Sequence, residues 1–144
     1  MKHIITLLCF VLLIIAGTQN AQAQTKEETI EWIKEKLKKY GASEDRIVTV
    51  VNVSPCDISY TVTTNDGTVF KTSFNPSYTK SWERCVRNKS LICADTEIIR
   101  YVRDNDPPEF DDSIYISYGE PDIHERMIKA LLHLATFCGK NETF

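Results

Sequence analysis

Few residues in this chain have the types and spacing to do chemistry: five cysteines, three histidines and one dense run of carboxylates. Cys56, Cys85, Cys93 and Cys138 lie in the body of the sequence. Four such thiols serve as two disulfides, as metal ligands or as nucleophiles, and spacing discriminates among these uses. Cys85 and Cys93 bracket the polar stretch Arg87-Asn88-Lys89-Ser90, which can reverse the chain and bring the two sulfurs together. Three pairings are open in principle, and this reversal favours Cys85 with Cys93, leaving Cys56 with Cys138 across a long loop. A metal site is disfavoured because no Cys-x-x-Cys is present. His124 and His133 are nine residues apart on a predicted helix, so they point about 180° apart and cannot share an ion.

Catalytic patterns are missing: there is no G-x-S-x-G, no H-E-x-x-H and no glycine-rich phosphate loop, and five glycines leave little scope for one. His124 sits at the edge of an apolar arc, where lowered basicity would suit a catalytic base, but a packed structural histidine is the commoner outcome. Asp104, Asp106, Glu109, Asp111 and Asp112 form an acidic segment with oxygens suited to Ca²⁺. It lacks the glycine and terminal glutamate of an EF-hand, and Pro107-Pro108 stiffen it, so a solvated loop open to partner contact is preferred. Trp32 is either an exposed anchor for a partner or a ring lying along the Lys36 and Lys39 stems or packed by a neighbouring loop, and a structural ring is preferred. No catalytic residue, metal or cofactor is expected.

The elements that must carry these residues read clearly at the two ends. Thr25-x-x-Glu28 is a capping box, Gly41 a stop, and Ile30, Ile33, Leu37 and Tyr40 recur at helical spacing between them. From Arg46 to Phe74 the period is two, rich in β-branched and aromatic residues, which predicts three strands. Of the loops possible at Asn65-Asp66-Gly67, a three-residue one with Gly67 left-handed sets Ile58, Tyr60 and Val62 opposite Phe74, Thr72 and Phe70. Trp82–Val86 and Leu91–Cys93 are candidate short strands, Glu97–Arg103 is a better one, and Ser113–Tyr118 resumes alternation. The intervening Asp104–Asp112 is expected to be loop, since its prolines lack amide donors and its carboxylates repel. Asp122 is the expected cap of a last helix ended by Gly139, and Ile123, Met127, Ile128, Ala130, Leu131, Leu132, Leu134, Ala135, Phe137 and Cys138 spread over more than half its wheel. The expected class is α+β: an N-terminal amphipathic helix, five to six mainly antiparallel strands as a sheet or small barrel, and a C-terminal helix capping it.

Compartment and charge narrow the function. Residues 1–23 read as a signal peptide, with an apolar run from Ile4 to Ala16 too short to span a bilayer and the small-residue ending Ala21-Gln22-Ala23. Cys9 would leave with it, so residues 24–144 form one secreted or periplasmic globular domain. Of 144 residues, 42% are hydrophobic and 26% charged, too apolar a mix for disorder. Formal charge is −3 over the whole sequence and falls to −4 without Lys2, with lysines interleaved among glutamates. Binding to nucleic acid or to a membrane surface is therefore not expected. The sequons Asn88-Lys89-Ser90 and Asn141-Glu142-Thr143 matter only in a eukaryotic secretory pathway, and the signal peptide is bacterial in style.

EETIEWIKEKLKKYG at 27–41, the strands between, and ERMIKALLHLATFCG at 125–139 together resemble small secreted bacterial proteins of uncharacterised function with a pleckstrin-homology-like sheet and a terminal helix. That resemblance implies a fold and no catalytic residues; Cys56, Cys85 and Cys93 depart from the pattern. The expected function is a non-enzymatic binding module for a protein or peptide, working through a sheet edge, the acidic loop or Trp32. Two alternatives stand beside it: an inhibitor or immunity protein directed at a secreted hydrolase, and a hydrolase without a recognisable motif.

Overall fold

The computed structural model describes residues 25–139 apart from Arg87 and Asn105. The signal peptide, its cleavage point and the Asn141 sequon lie outside the described residues.

Helix α1 (Lys26–Tyr40) begins with the capping box: the Thr25 hydroxyl accepts from the Glu28 amide at 3.2 Å, and the Glu28 carboxylate accepts from the Thr25 amide at 2.8 Å. At its end the Gly41 amide donates to the Leu37 carbonyl, and a Cβ on Gly41 would stand 2.5 Å from that same oxygen. Only glycine fits so close an approach. The strands are β1 (Arg46–Ser54), β2 (Asp57–Thr64), β3 (Val69–Phe74), β4 (Trp82–Arg84), β5 (Leu91–Ala94), β6 (Ile99–Arg103), β7 (Glu109–Asp111) and β8 (Ser113–Tyr115), followed by α2 (Ile123–Ala135).

The class is α+β, and every strand pair is antiparallel. The strands form two open sheets, ordered β1-β2-β3-β6-β7 and β4-β5-β8, with no closed barrel. Eight strands are present among the described residues where five or six are expected. Part of the excess is β7, inside the segment expected to be loop. The prolines at 107 and 108 precede it, so their missing amides cost the ladder nothing, and Glu109 and Asp111 face only one neighbour, β6. The β2–β3 hairpin has Gly67 at φ +86° and pairs Ile58 with Phe74, Tyr60 with Thr72 and Val62 with Phe70, the register of the three-residue loop.

Side chains from both sheets and both helices share one core. Val48, Ile58, Tyr60, Val62, Phe74 and Ile99 come from the larger sheet, Trp82, Ile92 and Ile114 from the smaller, and Ile33, Leu37, Met127, Leu131 and Leu134 from the helices. The Trp82 indole N–H is buried without a hydrogen-bond partner among the described residues, its ring tilted against Phe74 at 5.6 Å. Helix α2 packs on β4, on the 3-10 turn Pro76–Tyr78 and on α1. Its apolar arc is wider than its buried face, since Leu132 is exposed and Ile128 only half-buried.

Asp122 does not cap α2 through its side chain: its backbone is left-handed at φ 58°, and the carboxylate makes no bond to the first turn. Regular helix ends at Ala135, followed by tighter turns up to Gly139 at φ +79°. Disulfides join Cys56 to Cys138 and Cys85 to Cys93, with Cα–Cα distances of 5.0 and 5.3 Å. The first ties the β1–β2 turn to the segment after α2; the second clasps β4 to β5.

Candidate functional site

Open sheets have edges, and an edge strand offers unpaired amides and carbonyls to any chain that can reach them. Three of the four edges here are short. β4, β7 and β8 have three residues each, and β7 is also acidic and follows two prolines. β1 differs, with nine residues and a partner, β2, on one side only. Its register with β2 runs without interruption from Arg46 to Val50, then shifts before Asn52, so a bulge ends the regular edge.

Beside that edge runs a groove of about 460 Å³ between α1 and β1, lined by Glu31, Lys34, Glu35 and Lys38 of the helix and Ile47, Val48 and Thr49 of the strand. Ile47 is 70% exposed, so its apolar side chain is open to solvent beside the groove. The helix wall is organised by ion pairs. Lys34 donates to Glu31 at 2.7 Å, and Lys36 donates to Glu35 at 3.0 Å.

Glu120, which precedes α2, fixes the helix that forms this wall. It accepts from the Lys36 ammonium at 2.9 Å and the Tyr40 hydroxyl at 2.8 Å, lies 3.5 Å from the Lys39 ammonium, and receives Arg126 on its other oxygen at 3.3 Å. These donors, Lys36 first, hold its carboxyl down at about 2, and the same contact raises the Lys36 ammonium. Gly119 lets the Tyr40 ring lie against the chain, since a Cβ there would meet the ring at 2.2 Å. The Ser117 amide adds a 2.7 Å bond to the Tyr40 carbonyl. Sequence spacing missed this junction because its members are some eighty residues apart; the signal that could have flagged it is Lys36, which falls on the buried side of α1.

The residues singled out by sequence do not converge on one site. Trp32 is half-buried between the Arg126 guanidinium, 5.2 Å from its ring, and the Lys36 ammonium at 5.9 Å, so it joins the two helices. His124 is buried with Nε2 at 2.8 Å from the Ile116 carbonyl. A carbonyl only accepts, so Nε2 carries the proton, and the ring rests on Tyr118 at 4.8 Å. His133 stacks edge-on against Phe137. Cys56, Cys85, Cys93 and Cys138 are all in bridges.

Within the acidic segment, Asp104 and Asp111 accept from backbone amides. Asp104 accepts from the Val69 amide at 3.1 Å, while Asp111 accepts from the amides of Asp112 and Ser113. Asp106 and Glu109 are exposed, beside Phe110 at 59% exposure. Among the described residues no group of three or more His, Cys, Asp or Glu is set to hold a metal ion, and no helix is long and apolar enough to cross a membrane. Compared with protein-family models, with curated proteins and with solved structures, the chain matches none.

Proposed function

We propose that this chain is a non-enzymatic binding module, secreted or periplasmic, that takes an extended segment of a protein or peptide as an added strand along Arg46–Val50 of β1. The observation that carries this is the combination of the only long open edge among the described strands with a groove alongside it. Main-chain hydrogen bonds to the edge would supply affinity, while Ile47, Thr49 and the charged wall of α1 select side chains. The bridged cysteines, and a histidine whose Nε2 proton is committed to a carbonyl, support binding over catalysis. The leader-like first 23 residues and two disulfides support the compartment.

A second reading is favoured by exposed Asp106, Glu109 and Phe110: an inhibitor or immunity protein that presents this loop to a basic cleft of a secreted hydrolase. Photo-cross-linking in intact cells separates the two. A cross-linker at Ile47 or Thr49 is expected to form adducts while one at exposed Tyr78 does not, and unpaired edge amides within Ile47–Val50 gain hydrogen-exchange protection in the captured complex. Adducts confined to position 110, with unchanged exchange along β1, would replace the first reading by the second. Electrostatic steering adds a discriminator, since an inhibitor's association rate falls steeply with ionic strength and strand addition is far less affected.

A further inference from the structure

The larger sheet is incompletely covered at one end of its inner face. Cross-strand register places Val62, Phe70 and Arg103 in one row and Tyr60, Thr72 and Tyr101 in the next, all on the face that carries buried Val48. The Gly41–Ser43 segment and Tyr115 stand over these rows and leave a cleft of about 260 Å³, also lined by Arg46. Small-molecule pockets begin near about 300 Å³, so this one has room for a single small ring system.

The lining has three chemically distinct parts. Its walls are aromatic and aliphatic: Phe70, Tyr101, Tyr115 and Val62. Tyr60 and Thr72, both buried, complete the lining, and burial raises the Tyr60 and Tyr101 phenols. Tyr101 is locked in place by donating to the Ser113 carbonyl. Its mouth holds Arg46, whose guanidinium is 6.0 Å from the Phe70 ring and about half exposed. Asp45 pairs with Arg46 only at 4.0 Å, and the same oxygen accepts from the Ser43 hydroxyl at 2.6 Å. Arg103 also lies over Phe70 but borders a separate depression shared with Asp106 and Glu109, which leaves Arg46 as the cation of this cleft.

We propose that the cleft is a small-molecule site for a planar aromatic carboxylate, with its ring between Val62, Phe70 and Tyr101 and its carboxylate on the Arg46 guanidinium. The site shares Arg46 with the β1 edge but uses its side chain, on the inner face of the sheet, and does not depend on strand addition. A guanidinium pairs a carboxylate through two parallel hydrogen bonds, and the ring buries apolar surface against walls that are already in place.

The test is a titration of the intact, doubly bridged protein with indole-3-acetate, followed by amide chemical shifts and calorimetry, with indole-3-acetamide as the neutral counterpart. Shifts are expected to centre on Gly41–Ser43 and Phe70, with the acid binding at least tenfold tighter than the amide. Arg46→Gln is expected to bring the acid down to the affinity of the amide. Arg100→Gln, which lies opposite Ser73 on the other face of the sheet, is expected to change nothing. Ala42→Phe, which fills the mouth, is expected to abolish binding of both probes while the dispersion of the amide spectrum is retained. Equal affinity for acid and amide, an unchanged affinity in Arg46→Gln, or no shift at Gly41–Ser43 at millimolar acid would each overturn the proposal.

Discussion

Replacing Cys56 and Cys138 together by serine removes a link between residues 82 apart, whereas replacing Cys85 and Cys93 removes one between residues 8 apart. If each bridge acts by restricting the unfolded chain, the loss grows with the logarithm of loop length. The longer loop is then worth about 4.5 kcal/mol and the shorter about 2.5 kcal/mol at 25 °C. A gap of about 2 kcal/mol is large against a total stability of about 5–15 kcal/mol. Urea unfolding of the three proteins, with midpoint and slope fitted separately, measures it, and the slope should rise when a cross-link is lost because the unfolded chain expands. A larger loss from the Cys85–Cys93 replacement than from the Cys56–Cys138 replacement would refute the argument, and would mean that the clasp between β4 and β5 stabilises the native state directly.

Three further outcomes follow from the packing. Glu120 has a folded pKa of about 2, below the ordinary 4.5, so its contribution is present above about 4.5 and disappears as pH falls toward 2; the acid limb of the urea midpoint should flatten in Glu120→Gln. Gly119→Ala drives a methyl group into the Tyr40 ring and should cost about 1–3 kcal/mol in the same assay, with loss of the ring's contact with Glu120 seen by NMR. Gly67→Ala meets no atom within 4 Å but holds alanine at φ +86°, so thermal unfolding should show a loss of about 1–2 kcal/mol from backbone strain alone.

Local signals predicted local structure well. The capping box at Thr25, the stop at Gly41 and the hairpin around Gly67 each depend on a few adjacent residues, and alternation together with the three-residue loop set Tyr60 against Thr72. The disulfide pairs were legible because one of them spans a short polar reversal. Where the reading failed, distant context decided. The repulsion between the Glu109 and Asp111 carboxylates is screened by water at an exposed edge, and Asp122 entered a left-handed conformation that no cap preference encodes. The candidate sites were harder still. The groove exists because α1 lies along β1, and the aromatic cleft because two rows of cross-strand neighbours are left partly uncovered, and neither relation leaves a periodic trace in the chain.

The Cys56–Cys138 bond turns everything from the β2 entry to the tail after α2 into a covalent macrocycle, and α1 and β1 lie outside it as an exocyclic arm. Peeling that arm away leaves the ring closed, so the cross-link does nothing to oppose it, and only the contacts of α1 and β1, including Lys36 and Tyr40 on Glu120, resist. The arm is thus the natural unit of sub-global opening, and its amides should exchange at a lower free energy than those of the ring.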